Sequence, residues 1–169
     1  MRRNFAIAFY IFLCFVLQST VFKSLSFGGI SPNLLIIITS SFGFMYGRKC
    51  GLLVGFFCGI LYDIFYGDVL GFFAMIYMYI GFANGIFRSI FYKEDLKLPL
   101  ALITASDLLY GIVTYLLMFL LRSRFHIGYY LGHIIIPEVV YTIVVTIFLY
   151  PLILTTNKYL DKVEKRSVS

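Results

Sequence analysis

Cys50–Gly71 reads CGLLVGFFCGILYDIFYGDVLG, with Gly51, Gly55, Gly59, Asp63, Gly67 and Gly71 at a strict four-residue interval among Leu, Phe, Ile, Val and Tyr. Residues four apart on a helix share a face with about 40° of drift per step, so Gly51, Gly55, Gly59 and Asp63 form one sloping groove. A groove without side chains admits another helix backbone at close range, the small-xxx-small logic of membrane helix packing. The same groove carries a carboxylate into hydrocarbon, at a cost of about 2.5–3.5 kcal/mol on insertion scales. Asp63 therefore requires a partner or a polar pocket.

Composition sets the solvent. The 169 residues are 61% hydrophobic and 13% charged, against about 45–50% and 25% in soluble globular domains. No stretch is long and polar enough for a soluble domain, so the chain reads as one integral membrane domain. Its net charge of +6 is then a matter of topology rather than of nucleic-acid binding. The start, MRRNFAIAFYIFLCFVLQST, has the basic and apolar parts of a signal peptide but no small-x-small cleavage site, and reads as a retained first helix. Cys14, Cys50 and Cys58 form no CxxC and lie in or beside apolar segments, which favours packing over a disulfide or zinc site.

A spanning helix needs about 20 mainly apolar residues. Segments of this kind fall at about 5–22, 33–46, 51–66, 70–91, 98–121 and 137–156, followed by a basic tail over 157–169. The last apolar run begins at Ile127, and Pro137 is expected to divide it into a short interfacial segment (Ile127 to Ile136) and the sixth span. With the N-terminus in the cytoplasm, Arg2, Arg3, Arg48, Lys49, Arg88, Lys93, Lys97, Lys158, Lys162, Lys165 and Arg166 lie inside. Only Lys23, Arg122 and Arg124 lie outside, an asymmetry of eleven to three that follows the positive-inside rule. The expected fold is an all-α integral membrane bundle of six transmembrane helices with both ends cytoplasmic.

The polar residues carry two readings each. Asp63 is either a coordinating or partner-binding carboxylate or a hydrogen-bonding group for Tyr62, Asn84, Gln18 or Thr20. Asp107 has Ser106 and Thr104 beside it as local partners. Asn33 opens the second segment, Gln18, Ser19 and Thr20 end the first, and Glu138 follows Pro137 where a helix N-terminus favours an acid. His126 and His133 with Glu138 are too irregularly spaced for a metal site. Two intramembrane aspartates raise an aspartyl protease, but Phe65 stands where a GxGD signature needs glycine. No GxSxG, HExxH or P-loop pattern occurs. Tyr77, Tyr79, Tyr129 and Tyr130 are either cavity-lining or interfacial-belt residues.

Taken together, the residues resemble the MreD family of bacterial rod shape-determining proteins over nearly the whole chain. The likeness rests on the basic start, LQST at Leu17–Thr20, SPNLL at Ser31–Leu35, and GLLVGFFCGILYD with Gly67 and Gly71 after it. PEVVYT at Pro137–Thr142 and the basic tail complete it. The Phe and Tyr excess and the Arg-Lys-Cys entry to the third segment depart from the pattern. The resemblance implies a non-enzymatic, cofactor-free scaffold of the cell-elongation machinery in the bacterial cytoplasmic membrane. Its implied partners are the bitopic MreC and, indirectly, MreB, RodA and a penicillin-binding transpeptidase. It also implies a fold similar to the S components of energy-coupling-factor transporters, which makes a vitamin-binding component the alternative. Such a binder requires a pocket of several hundred Å³ and a small-residue face on the first helix. Ala6 and Ala8 are two apart and share no face, which favours the scaffold.

Overall fold

The computed structural model describes residues 2–26, 28–90, 95–122 and 127–168. Lys93, Arg124 and His126 lie outside them, and for Arg2, Arg122, Lys165 and Arg166 the backbone alone is described. The described residues form an all-helical bundle: α1 (Arg2–Ser19), α2 (Val21–Ser24), α3 (Leu34–Tyr46), α4 (Arg48–Tyr66), α5 (Phe72–Ile86), α6 (Lys97–Arg122), α7 (Ile127–Tyr130) and α8 (Ile136–Val168). Five apolar helical stretches have spanning length: Arg3–Ser24, Arg48–Tyr66, Phe72–Ile90, Lys97–Met118 and Gly128–Glu164.

The sixth expected span, α3, has 13 residues. At 1.5 Å per residue it rises about 20 Å, short of a hydrocarbon core of about 30 Å. Its place in the bundle explains the shortness. Every residue from Leu34 to Met45 is buried, and α1, α4, α5, α6 and α8 all touch it. A helix apolar all round is a core helix, and here the core of a membrane bundle is a helix that meets protein on every side. Its non-helical ends are tolerated at membrane depth because protein, not lipid, surrounds them.

The tightest packing joins α4 to α5. A Cβ at Gly51 would lie 2.1 Å from the Gly81 carbonyl oxygen, one at Gly55 2.3 Å from the Tyr77 carbonyl oxygen, and one at Gly59 2.2 Å from Ala74 Cα. The glycine groove of α4 is thus filled by α5 of the same chain, backbone against backbone. Gly81 returns the contact, since a Cβ there would meet the Gly51 carbonyl oxygen at 2.0 Å.

The C-terminal third differs from the sequence expectation. Residues 127–168 run on as helix: α7 passes through a π-helical turn (Leu131–Ile135) directly into α8. Proline in a helix clashes with the carbonyl four residues earlier, which for Pro137 is that of His133, inside the π turn. The wider i→i+5 ladder opens the backbone at that point, so Pro137 is accommodated without a break. Nor does the helix stop at Thr156. The tail's Lys, Leu, Glu and Arg are good helix formers, and Glu164 of α8 lies 3.6 Å from Arg3 of α1. At this end of the bundle Tyr10 also hydrogen-bonds Thr156 (2.6 Å) and Tyr46 donates to Asn157. Both termini are therefore at one end.

The groove generates a test of the fold. Gly59→Leu forces a side chain into the α5 backbone and should lose at least the ~1–3 kcal/mol of ordinary overpacking. Gly132, with nothing within 4 Å of its Cβ position, should accept alanine within about 0.5 kcal/mol. Thermal unfolding in detergent reads both. Equal midpoints for Gly59→Leu and wild type would rule out the close α4–α5 packing.

Candidate functional site

The polar residues singled out in the sequence gather at the end of the bundle away from the termini. The first group is built on Asp63, in the last turn of α4 and 3% exposed. The Gly67 amide donates to the Asp63 carbonyl oxygen (3.0 Å) and closes α4. Gly71, at φ +94°, takes the left-handed conformation that glycine adopts without strain, and α5 starts on the next residue. The short turn folds α5 back over Asp63. Its carboxylate accepts hydrogen bonds from the backbone amides of Gly71 (2.9 Å), Phe73 (3.0 Å) and Ala74 (3.0 Å).

These are the donors that a helix start leaves without an intrahelical partner, and an acid is the favourable charge beside them. The expected side-chain partners Tyr62, Asn84, Gln18 and Thr20 are not used; the partner is the backbone of the next helix. Gly51, Gly55, Gly59 and Asp63 all face α5 because they share one stripe of α4. Gly67 and Gly71 belong to the turn.

A second group caps α3. Asn33 Oδ1 accepts from the Ile36 amide (3.3 Å) and from the Tyr77 hydroxyl (2.9 Å). Gln18 Oε1 accepts from the Leu35 amide (3.2 Å), and the Asn33 amide donates to Thr142 Oγ1 (3.1 Å). Side chains from α1, α5 and α8 thus converge on one buried helix start. Gln18 is more than an interfacial terminus, and Tyr77 is fully buried, whereas Tyr79 and Tyr129 are exposed. Sequence reasoning missed Thr142 as a polar contact; the available signal is Thr142 and Thr146, four apart in an apolar run. Ser19 and Thr20 donate back to the carbonyls of Phe15 and Val16.

Deeper in the bundle Asn84 Nδ2 donates to the Ile80 carbonyl oxygen (2.9 Å) and to Ser106 Oγ (2.7 Å). Ser106 and Thr104 donate to the carbonyls of Leu102 and Leu100, and so neither serves Asp107 as the spacing suggested. Asp107 is 2% exposed, and neither carboxylate oxygen makes a hydrogen bond of ordinary geometry; Thr142 is the hydroxyl that interacts with it. Glu138, half-buried in the first turn of α8, shares a cavity with Tyr110 and Gly111, which stand one turn along α6 from Asp107. Glu138 and Tyr130 line a cavity of about 160 Å³ with Tyr62, Phe73, Tyr110 and Thr114. His133 stacks on Tyr129 with ring centroids 4.3 Å apart.

Asp63 substitutions separate capping from other roles. Asp63→Leu leaves three buried amides without acceptors, at about 1–3 kcal/mol each, while Asp63→Asn keeps one acceptor oxygen. The expected order of thermal midpoints is wild type, then Asp63→Asn, then Asp63→Leu by a wide margin. A leucine variant as stable as the asparagine variant would contradict the capping role.

Comparison with known proteins bears on what this architecture is for. No curated protein and no solved structure matches the chain. The family model described as rod shape-determining protein MreD matches residues 1–162, through the glycine stripe, both capping groups and most of α8. The chain belongs to the MreD family, and so to the proteins that determine rod shape in bacteria.

Proposed function

We propose that this MreD-family chain is a non-enzymatic membrane scaffold of the cell-elongation complex. It binds an MreC-like bitopic protein and, through it, MreB, RodA and a penicillin-binding transpeptidase, and so supports lateral peptidoglycan synthesis. The family match over 1–162 carries this reading. The structure supports it in two ways. Asp63, Asn33 and Gln18 are engaged in holding helix starts, the work of a framework. The cavity beside Glu138, at about 160 Å³, is below the ~300–1,000 Å³ of sites for vitamin-sized ligands. The larger groove between α1 and α4 is lined by apolar side chains apart from Asn4 and Cys50, without the convergent polar groups that the S-component alternative requires.

Since α5 fills the glycine groove, a partner's spanning helix needs another face. Between α1 and α4 runs an open apolar groove of about 450 Å³, floored by the buried Ile11 and Val54 and rimmed by the exposed Phe12, Leu53 and Phe57. In this reading the single span of the partner lies there. The same reading has the bundle in the cytoplasmic membrane with both termini in the cytoplasm, the orientation that the charge asymmetry favours.

Recovery of the single-span partner with the tagged chain, from cells depleted of their native copy, is the test of the scaffold. Wild type should retain the partner and rod shape. Ala8→Phe, which fills the groove, should reduce recovery at least fivefold at equal membrane level, while Val144→Phe on the outer face of α8 should not. No partner with the wild-type chain would end the scaffold reading; full recovery with Ala8→Phe would end only the groove assignment. For orientation, in a chain whose three native cysteines are replaced, Asp68→Cys should react with an impermeant thiol reagent applied to intact cells. Lys49→Cys should not, and the reverse pattern would invert the topology.

A further inference from the structure

The cavity beside Glu138 has the composition of a cation site. Along α6, Asp107, Tyr110, Gly111, Thr114 and Met118 follow i, i+3, i+4, i+7 and i+11, one face of a helix, and the last four line the cavity. Gly111 lets the π turn approach, since a Cβ there would sit 3.1 Å from Ile135 Cγ2. This approach brings Glu138 of α8 over the same face. Thr114 is 9% exposed, and its hydroxyl, on the cavity wall, has no hydrogen-bond partner among the described residues. One turn below the lining residues, both oxygens of Asp107 are likewise without a hydrogen bond. No described residue forms a salt bridge with Asp107 or Glu138.

An acid pair of this kind is costly in a membrane interior unless something compensates it. Asp63 solves the same problem with three amides; Asp107 has the Thr142 hydroxyl beside it but no hydrogen bond of ordinary geometry. The walls answer which compensation fits. Tyr62, Phe73, Tyr110 and Tyr130 present aromatic rings, and a cation within about 6 Å of such a ring is attracted by the ring's negative face. Tyr110 already stacks against Tyr77 (5.3 Å between centroids) and Phe73 (6.2 Å), which fixes its ring in the wall. Among the described residues no third His, Cys, Asp or Glu joins the pair to make a metal-binding set. A volume of about 160 Å³ is that of about five water molecules at ~30 Å³ each.

We propose that this cavity binds a compact primary ammonium group, held by Glu138 and the Thr114 hydroxyl between the tyrosine rings, with Asp107 as the second negative charge beneath it. The ammonium is supplied either by a free small amine or by the ethanolamine headgroup of a phospholipid. The site is independent of the scaffold's partner interface, which lies on α1 and α4, so failure of one leaves the other standing.

Thermal unfolding of the detergent-purified full chain, stripped of phospholipid, tests the proposal with ethanolammonium chloride as probe and sodium chloride at equal ionic strength as control. The midpoint should rise saturably by several degrees with ethanolammonium and not with sodium. Glu138→Gln should weaken the half-saturating concentration at least tenfold; Thr114→Val, which is nearly isosteric, should weaken it severalfold and guards against a misfolded Glu138 variant. Nanodiscs then separate the sources. If the headgroup is the ligand, phosphatidylethanolamine discs raise the midpoint and abolish the response to the free amine. If a free amine is the ligand, the response is the same in phosphatidylethanolamine and phosphatidylglycerol discs. No saturable response, an equal response to sodium, or wild-type responses from both variants would overturn the site.

Discussion

A helix start packed against protein presents up to four backbone amides that have no intrahelical partner, and at the start of α5 the Asp63 carboxylate takes three. The magnitudes show why an aspartate is favourable there. Each buried amide left without an acceptor costs about 1–3 kcal/mol, so three cost about 3–9 kcal/mol, as much as or more than the ~2.5–3.5 kcal/mol that a carboxylate costs at the centre of a membrane helix. Acid and helix start are each unfavourable alone and compatible together. The chain can then reverse direction in the five residues 67–71 between α4 and α5.

The glycine stripe and the acid are parts of one device. Gly51, Gly55 and Gly59 let α5 lie directly against α4, and only that close approach brings the amides of residues 71–74 to Asp63. The pair then forms one wall around α3, whose own start is held by Asn33, Gln18, Tyr77 and Thr142. With its own N-cap and side chains from three other helices at its start, a 13-residue helix serves as the core of the bundle. The α1–α4 groove and the cavity beside Glu138 lie on the flanks of this core.

Much of this was legible in the sequence. Apolar length located the long helices, and the four-residue spacing singled out Gly51, Gly55, Gly59 and Asp63 because period 4 is a property of a helix face. The occupant of the groove was not legible: spacing reports a small-residue face but not which backbone lies on it. The partners of Asp63 were missed for a related reason. Backbone amides are present at every residue and carry no sequence signal, whereas Tyr62 and Asn84 attract attention as side chains. Pro137 misled because a proline marks a break only when the preceding ladder cannot widen, and the π turn at Leu131–Ile135 is where it widens. Asp107 and Glu138 are 31 positions apart in sequence, and only the packing of α6 against α8 relates them.

Amide hydrogen–deuterium exchange of the segment 71–74, compared between wild type and Asp63→Asn in nanodiscs, tests the central interaction most directly. If the carboxylate holds these amides, Phe73 and Ala74 are protected in wild type and at least one of them exchanges at least tenfold faster in the variant, which keeps a single acceptor oxygen, while the amides of α3 keep their protection. Unchanged protection at 73 and 74 in a folded Asp63→Asn protein would mean that something other than the Asp63 carboxylate holds the start of α5.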